Sequence, residues 1–446
     1  MTTTNIFTPP QSNLLLTPDM QVCQTDYPLD WYQQEFLPYA EEYQALPDRE
    51  IITTVAWMQP YVEKALDYFG DSLLLLAHYY MGGEIVKIIQ YFGGQIADSY
   101  QLALMAAHQP EKKVIVESAV HFMAESISIL ANPDQQVYIT NPKSGCTMEM
   151  MAKDFMVKPA FDQLNERYGE STILPVCYMN TSGRLKAMTG AQGGAVCTSS
   201  NVKKIFEWAL KQNKKILFIP DRHMGENVAM WTGIPKEKIA YWPGGKDGAN
   251  FKLNEQNPEK IKRFDEAQLI LFSSECGVHS YYEPEMVQYW RDLGYSVLVH
   301  PECRNEVVSI ADGCGSTAYL WEQVTHDLKG TKKYAIGTEN HMVKNVREFC
   351  RNKGIEVVNV SEIPGMKKKA GCGCATMSRN DPPHLVAILD LLRRGKAPEF
   401  NLVKPGDVVN EFVGTRERLN EEGQQWIAEN ARKALEKMIE ITEAKN

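Results

Sequence analysis

Three times along this chain a short apolar run ends in polar residues, a turn of small hydroxyl residues follows, a second apolar run leads to a histidine, and a cysteine closes the unit. The first copy runs from residues 73–77 into His78, Tyr79 and Tyr80, then Ser99, His121 and Cys146. The second runs from residues 173–176 into Tyr178 and Asn180, then Ser199, His223 and Cys276. The third runs from residues 296–299 into His300 and Glu302, then Ser316, Thr317, His341 and Cys374. The strand tip and the hydroxyl turn are 21, 21 and 16 residues apart, and the turn and the histidine 22, 24 and 25. Independent matches would not keep step in this way, so the chain is read as three versions of one supersecondary unit. The last leg is looser, at 25, 53 and 33 residues, and the excess in the second copy is read as a surface insertion at about 244–266, which a loop tolerates at little entropic cost.

Within each copy short apolar strands alternate with amphipathic helices, which predicts parallel, three-layered α/β sheets. The expected boundaries are an irregular N-terminal extension over 1–50, repeats over 51–147, 148–277 and 278–380, and a C-terminal helical segment over 381–446. In that last segment residues 384–394 read as a helix, and Ile427, Ala431, Ala434, Met438 and Ile441 recur at 4, 3, 4 and 3, a packing stripe.

Three units each ending in a cysteine predict a pseudo-threefold molecule with its thiols converging on the axis. Three thiolates can hold three irons of a four-iron cluster and leave the fourth open as a Lewis acid. In the third copy Cys374 is preferred to Cys372, because a methionine follows it closely, as one follows Cys146. A different ligand set, Cys303, Cys372 and Cys374, would make a local zinc site, although zinc-ribbon spacing is absent. Cys23, Cys177, Cys197 and Cys350 are read as structural.

Ser99, Ser199, Ser316 and Thr317 open helices, where unpaired N–H groups can cradle an anion; plain helix capping is the local alternative. His78, Tyr80, Tyr178, Asn180, His300 and Glu302 occupy strand tips, where open α/β folds build their sites and an ordinary core prefers apolar groups. His121, His223 and His341 are given structural roles at helix starts.

A net charge of −9 disfavours nucleic acid as a partner. Apolar runs such as 73–77 are far short of the roughly 20 residues a membrane span needs, no export signal is seen, and a cytoplasmic location is expected. Ten cysteines in such a chain are then thiols, some metal-bound, and not a disulfide framework.

Taken in order, these motifs resemble quinolinate synthase, the iron–sulfur enzyme family of de novo NAD biosynthesis. The resemblance covers about 73–377 and includes Ala97-Asp98-Ser99, Cys197-Thr198-Ser199, Pro220-Asp221, Cys276-Gly277-Val278-His279, His300-Pro301-Glu302-Cys303, Gly337-Thr338-Glu339 and Cys374-Ala375-Thr376-Met377. It implies three Rossmann-like domains around a central active site. It implies a [4Fe-4S] cluster on Cys146, Cys276 and Cys374, and condensation of iminoaspartate with dihydroxyacetone phosphate to quinolinate, phosphate and water. It also implies a functional link to the enzyme that supplies iminoaspartate. Carried over by motif, Ser99, Ser199 and Thr317 bind phosphate or carboxylate, while His78, Tyr80, Tyr178, Asn180, His279, His300 and Glu302 position substrate and move protons. Glu302 is the expected base, with His300 and Tyr80 as proton donors or orienting groups. The insertion, the N-terminal extension and the Gly-Cys-Gly-Cys374 form depart from the family pattern. Another iron–sulfur hydro-lyase acting on a hydroxy acid, or a non-catalytic cluster sensor, are the rival readings.

Overall fold

The computed structural model of the chain describes residues 32–365, 373–410 and 415–444. Cys23, Cys372 and the lysines at 367–369 lie outside the described residues. Three parallel sheets of four, five and four strands, flanked by helices, form the frame, as expected for an α/β chain. The first contains β1 (Leu73–His78), β2 (Gln95–Ala97), β3 (Val114–Ser118) and β4 (Gln136–Ile139), in the order β2-β1-β3-β4. The second contains β5 (Ile173–Tyr178), β6 (Ala195–Cys197), β7 (Lys215–Ile219), β8 (Ile239–Pro243) and β9 (Leu269–Ser273), in the order β6-β5-β7-β9-β8. In the third, β10 (Ser296–Val299) pairs with β11 (Gly313–Cys314), and β12 (Lys333–Gly337) with β13 (Glu356–Asn359). Every residue of β1 and β5 is buried, because a parallel strand covered on both faces has no polar side to present.

Contacts divide the chain into two compact units, one of residues 1–145, 321–404 and 409–417 and the other of residues 146–320, 405–408 and 418–446. In the first unit, Leu74, Leu76, Ile115, Ile127, Val137 and Ile139 form one cluster between the first sheet and the helices Ser99–Ala107 and His121–Leu130. Each such side chain contributes on the order of 1.5–3 kcal/mol by leaving water. The stretch before residue 50, expected to be irregular, holds the helix Leu37–Gln44. Its own pattern is too short to be stable alone, and tertiary contacts supply the difference: Tyr39, Ala40 and Tyr43 are buried, Tyr32 Oη donates to Asp381 Oδ2 at 2.5 Å, and Tyr39 Oη donates to Asp390 Oδ2 at 2.7 Å. Asp381 also caps the helix Pro382–Arg393, accepting from His384 N at 3.1 Å.

In the second unit the segment read as a surface loop is helical, with Gly245–Asn250 and Pro258–Glu266 following the edge strand β8. Trp242, Phe251 and Phe264 draw it in, with ring centroids 4.6 and 6.0 Å from Trp242. The helix Glu421–Glu443 packs its stripe of Ile427, Ala431, Ala434 and Met438 inward, with Ile441 partly exposed. It crosses the helix Gly183–Ala191 at Gly190, where a Cβ would stand 1.9 Å from the Asn430 carbonyl oxygen, so only glycine permits the approach.

Candidate active site

Strand register decides which polar residues end up side by side. In the first sheet His78 aligns with Ala97, in the second Tyr178 aligns with Cys197, and in the third Val299, just before His300, aligns with Cys314. The strand-tip residues therefore stand at the carboxyl edge of each sheet, beside the turns that carry Ser99, Ser199 and Thr317. Parallel α/β sheets place their ligands at that edge.

The hydroxyl turns separate into residues that cap a helix and residues that do not. Asp98, not Ser99, caps its helix, its Oδ1 accepting from Gln101 N at 3.0 Å. Asn201 Oδ1 closes the second turn on Thr198 N at 2.7 Å, leaving Ser199 in the bend. In the third, Ser316 Oγ accepts from Tyr319 N at 3.2 Å and Thr317 is the first helical residue. Capping thus accounts for Asp98 and Ser316, whereas Ser99, Ser199 and Thr317 stand in or beside the same turns.

In the second unit four of the expected residues form one buried network. Glu302 Oε1 accepts from Tyr178 Oη at 2.7 Å, and its Oε2 lies 2.8 Å from His279 Nδ1. The His279 and His300 rings stack with centroids 4.4 Å apart. Burial by itself raises the Glu302 carboxyl, but His279 and His300 beside it, with the Tyr178 hydrogen bond, outweigh burial and hold it at about 2. Asp221 goes the other way: burial, then the charge of Glu302, push it well above the usual carboxylate range. Both Glu302 oxygens are engaged, Oε1 with Tyr178 and Oε2 with His279, so the carboxylate fixes the placement of both side chains.

Cys276, His279 and Glu302 bring a sulfur, a ring nitrogen and a carboxylate oxygen within 4.8 Å of one another, a donor set able to hold a metal. Cys146, Cys276, Cys314 and Cys374 are partly exposed, the accessibility that thiolate chemistry needs. Cys177, Cys197, Cys303 and Cys350 are buried, as befits small core side chains. Within the Cys276–His279–Glu302 set the sulfur comes from Cys276, and a soft thiolate beside an imidazole suits a transition metal.

In the first unit His78 Nδ1 accepts from Tyr80 N at 3.2 Å, and the two rings meet edge to face at 4.6 Å. Tyr80 Oη lies 3.1 Å from Thr338 Oγ1 at the end of β12. Cys374 Sγ lies 3.3 Å from Thr376 Oγ1. Asn180 sits two residues beyond Tyr178 at the tip of β5, half-buried.

Two devices escaped the sequence reading. Asn227 Nδ2 donates to the Pro301 and Cys303 carbonyls, each at 2.8 Å, and so holds the loop bearing Glu302. Asn345 Nδ2 donates to the Tyr79 and Met81 carbonyls at 3.4 and 3.0 Å, holding the loop bearing Tyr80 in the same way. Asp221 and Glu339, present in the sequence reading only as parts of family motifs, form the second: one oxygen of each caps a helix and the other accepts from a cysteine N–H. The signal lay in the repeat: an acid two residues before the histidine and an asparagine four after it occur around both His223 and His341.

Comparison with known proteins finds a match over residues 62–440 to the family model described as quinolinate synthetase A protein. A quinolinate synthase of Bacillus velezensis is 37% identical over 330 residues, 74% of this chain and 83% of that protein. Those of Acidobacterium capsulatum and Bacillus subtilis are each 34% identical, over 90% and 82% of this chain and 95% and 92% of their own lengths.

Proposed function

From the premise that this chain belongs to the quinolinate synthase A family, we propose that it condenses iminoaspartate with dihydroxyacetone phosphate, releasing quinolinate, phosphate and water. The observation that carries the reading is the buried Tyr178–Glu302–His279–His300 network beside the thiol of Cys276. Cys146, Cys276 and Cys374 would hold a [4Fe-4S] cluster, which supplies a Lewis-acidic iron when bound.

The remaining chemistry belongs to the chain's own residues. Losing phosphate requires donors aimed at an anion, and Ser99, Ser199 and Thr317, in the turns beside the strand tips, are suited to phosphate and carboxylate. Isomerising a sugar phosphate and losing water require proton transfer. His300 and His279 are the proton carriers in this reading. Glu302 keeps the His279 ring oriented, much as a buried acid orients the base of a catalytic triad, and Tyr178 is fixed through its hydroxyl on the same carboxylate. His78 and Tyr80 orient substrate from the first repeat, and Asn180 adds an amide at the tip of β5. Among the described residues no helix is long and apolar enough to cross a membrane.

The test is strictly anaerobic purification, an assay for quinolinate from the two substrates, and iron content with an absorption spectrum on the same sample. Quinolinate formation with about four irons per chain supports the reading. Iron without quinolinate would leave a cluster sensor or another hydro-lyase, and zinc in place of iron would end it.

A further inference from the structure

Two fully buried carboxylates are each divided between a helix and a cysteine. Asp221 Oδ1 accepts from Met224 N at 2.6 Å and so caps the helix Arg222–Thr232, while its Oδ2 accepts from Cys276 N at 3.2 Å. Glu339 Oε2 accepts from His341 N and Met342 N at 2.7 and 3.1 Å and so caps the helix Asn340–Cys350, while its Oε1 accepts from Cys374 N at 3.2 Å. Oε1 also lies 3.0 Å from His341 Nδ1.

Capping alone does not require this chemistry. Ser182 and Asn257 cap their helices with one neutral oxygen, accepting from Leu185 N and Lys260 N. A carboxylate taken out of water is costly unless both oxygens are satisfied. Here the second oxygen is satisfied by the backbone of a cysteine 55 or 35 residues further along. The first repeat has Ala119 at the equivalent place. There Asn380 does the holding, donating from Nδ2 to the Ala119 carbonyl and to Ser144 Oγ, each at 2.8 Å, two residues before Cys146.

We propose that Asp221 and Glu339 are positioning residues for a cluster, each fixing the backbone of a ligand cysteine, Cys276 or Cys374, to the helix its other oxygen caps. The inference rests on the ligand assignment made above. It places the carboxylates among the outer groups that orient metal ligands, whose removal usually weakens metal holding about 10–100-fold.

The experiment uses Asp221→Asn and Glu339→Gln in the full chain, each loaded with iron and sulfide anaerobically. An amide keeps one oxygen to cap the helix but turns an NH₂ toward the cysteine N–H, so it separates the two roles. Asn257→Ala serves as a variant that loses a cap and no cysteine contact, and Cys276→Ala and Cys374→Ala remove the ligands themselves. Iron and sulfide content, the rate of iron release to a chelator and the melting temperature are read on each. The expected result is iron release about tenfold faster or more in both amide variants, with parental release in Asn257→Ala. Parental iron content and release in Asp221→Asn and Glu339→Gln, while the cysteine variants lose iron, would overturn the inference and leave the ligand assignment standing. Full iron in Cys276→Ala and Cys374→Ala would remove the ligand assignment and the inference with it. The two carboxylates are read independently, so a folding failure in one leaves the other decisive.

Discussion

His279 Nδ1 stands 2.8 Å from Glu302 Oε2, with both side chains buried. A buried histidine beside a buried carboxylate has its ring fixed in one orientation, which makes Nε2 the atom suited to proton transfer. Glu302→Gln keeps an oxygen for Tyr178 but removes the charge. Turnover is expected to fall about 100-fold or more at matched iron content, measured as quinolinate formed under anaerobic conditions. A variant with parental turnover would remove Glu302 from the site.

Cys146, Cys276 and Cys374, which are partly exposed, contrast directly with the buried Cys177 and Cys197. Cys146→Ser, Cys276→Ser and Cys374→Ser should each lose the visible absorption of the cluster and most activity. Cys177→Ala and Cys197→Ala, whose thiols lie in the core, should keep their iron and lower only the melting temperature. Iron analysis of all five after the same loading checks the division.

Asn227 and Asn345 each supply the N–H for two buried carbonyls. Asn227→Ala and Asn345→Ala leave those carbonyls without that donor, at about 1–3 kcal/mol each. Because the released loops carry Glu302 and Tyr80, kcat should fall together with stability. Thermal melts and steady-state kinetics on the same preparations read both effects, and a variant that melts as the parent does would contradict the assignment.

At Gly190 two effects of one substitution oppose each other. Alanine in a helix gains roughly 0.5–1 kcal/mol over glycine, but here its Cβ would stand 1.9 Å from a backbone oxygen of the C-terminal helix. Overpacking against backbone costs about 1–3 kcal/mol or more, so Gly190→Ala should lower the melting temperature. A raised melting temperature would show that the two helices separate easily.

Acid should loosen the N-terminal helix. Burial opposes ionisation of Asp390, yet hydrogen bonds from Tyr39, Arg393 and Arg394 outweigh it and hold its carboxyl below the usual range. Burial, then the bond to Asp390, push the Tyr39 hydroxyl up to about 12. A carboxyl depressed on folding adds stability above its unfolded value of about 3.9, and that stability is lost as pH falls through the lower folded value. Tyr39→Phe should therefore cost about 1 kcal/mol at neutral pH, with the gap to the parent narrowing below about pH 4. Denaturant titrations at the two pH values measure the difference.

Much of this protein is written in chain order. Apolar runs of strand length, helices between them and a fixed succession of tip, turn, histidine and cysteine are local patterns, and strand and helix periods are set by nearest-neighbour geometry. They sufficed for three parallel sheets, for the strand tips His78, Tyr178 and His300, and for the family. Tertiary structure alone decided the pairings. Tyr178 meets Glu302 across 124 residues, Asp221 meets Cys276 across 55, and Glu339 meets Cys374 across 35. It also drew the insertion into helices around Trp242, where a polar composition suggested a loop. Such partners depend on sheet register and loop closure, which bring distant groups to hydrogen-bond distance and leave no period in the sequence between them.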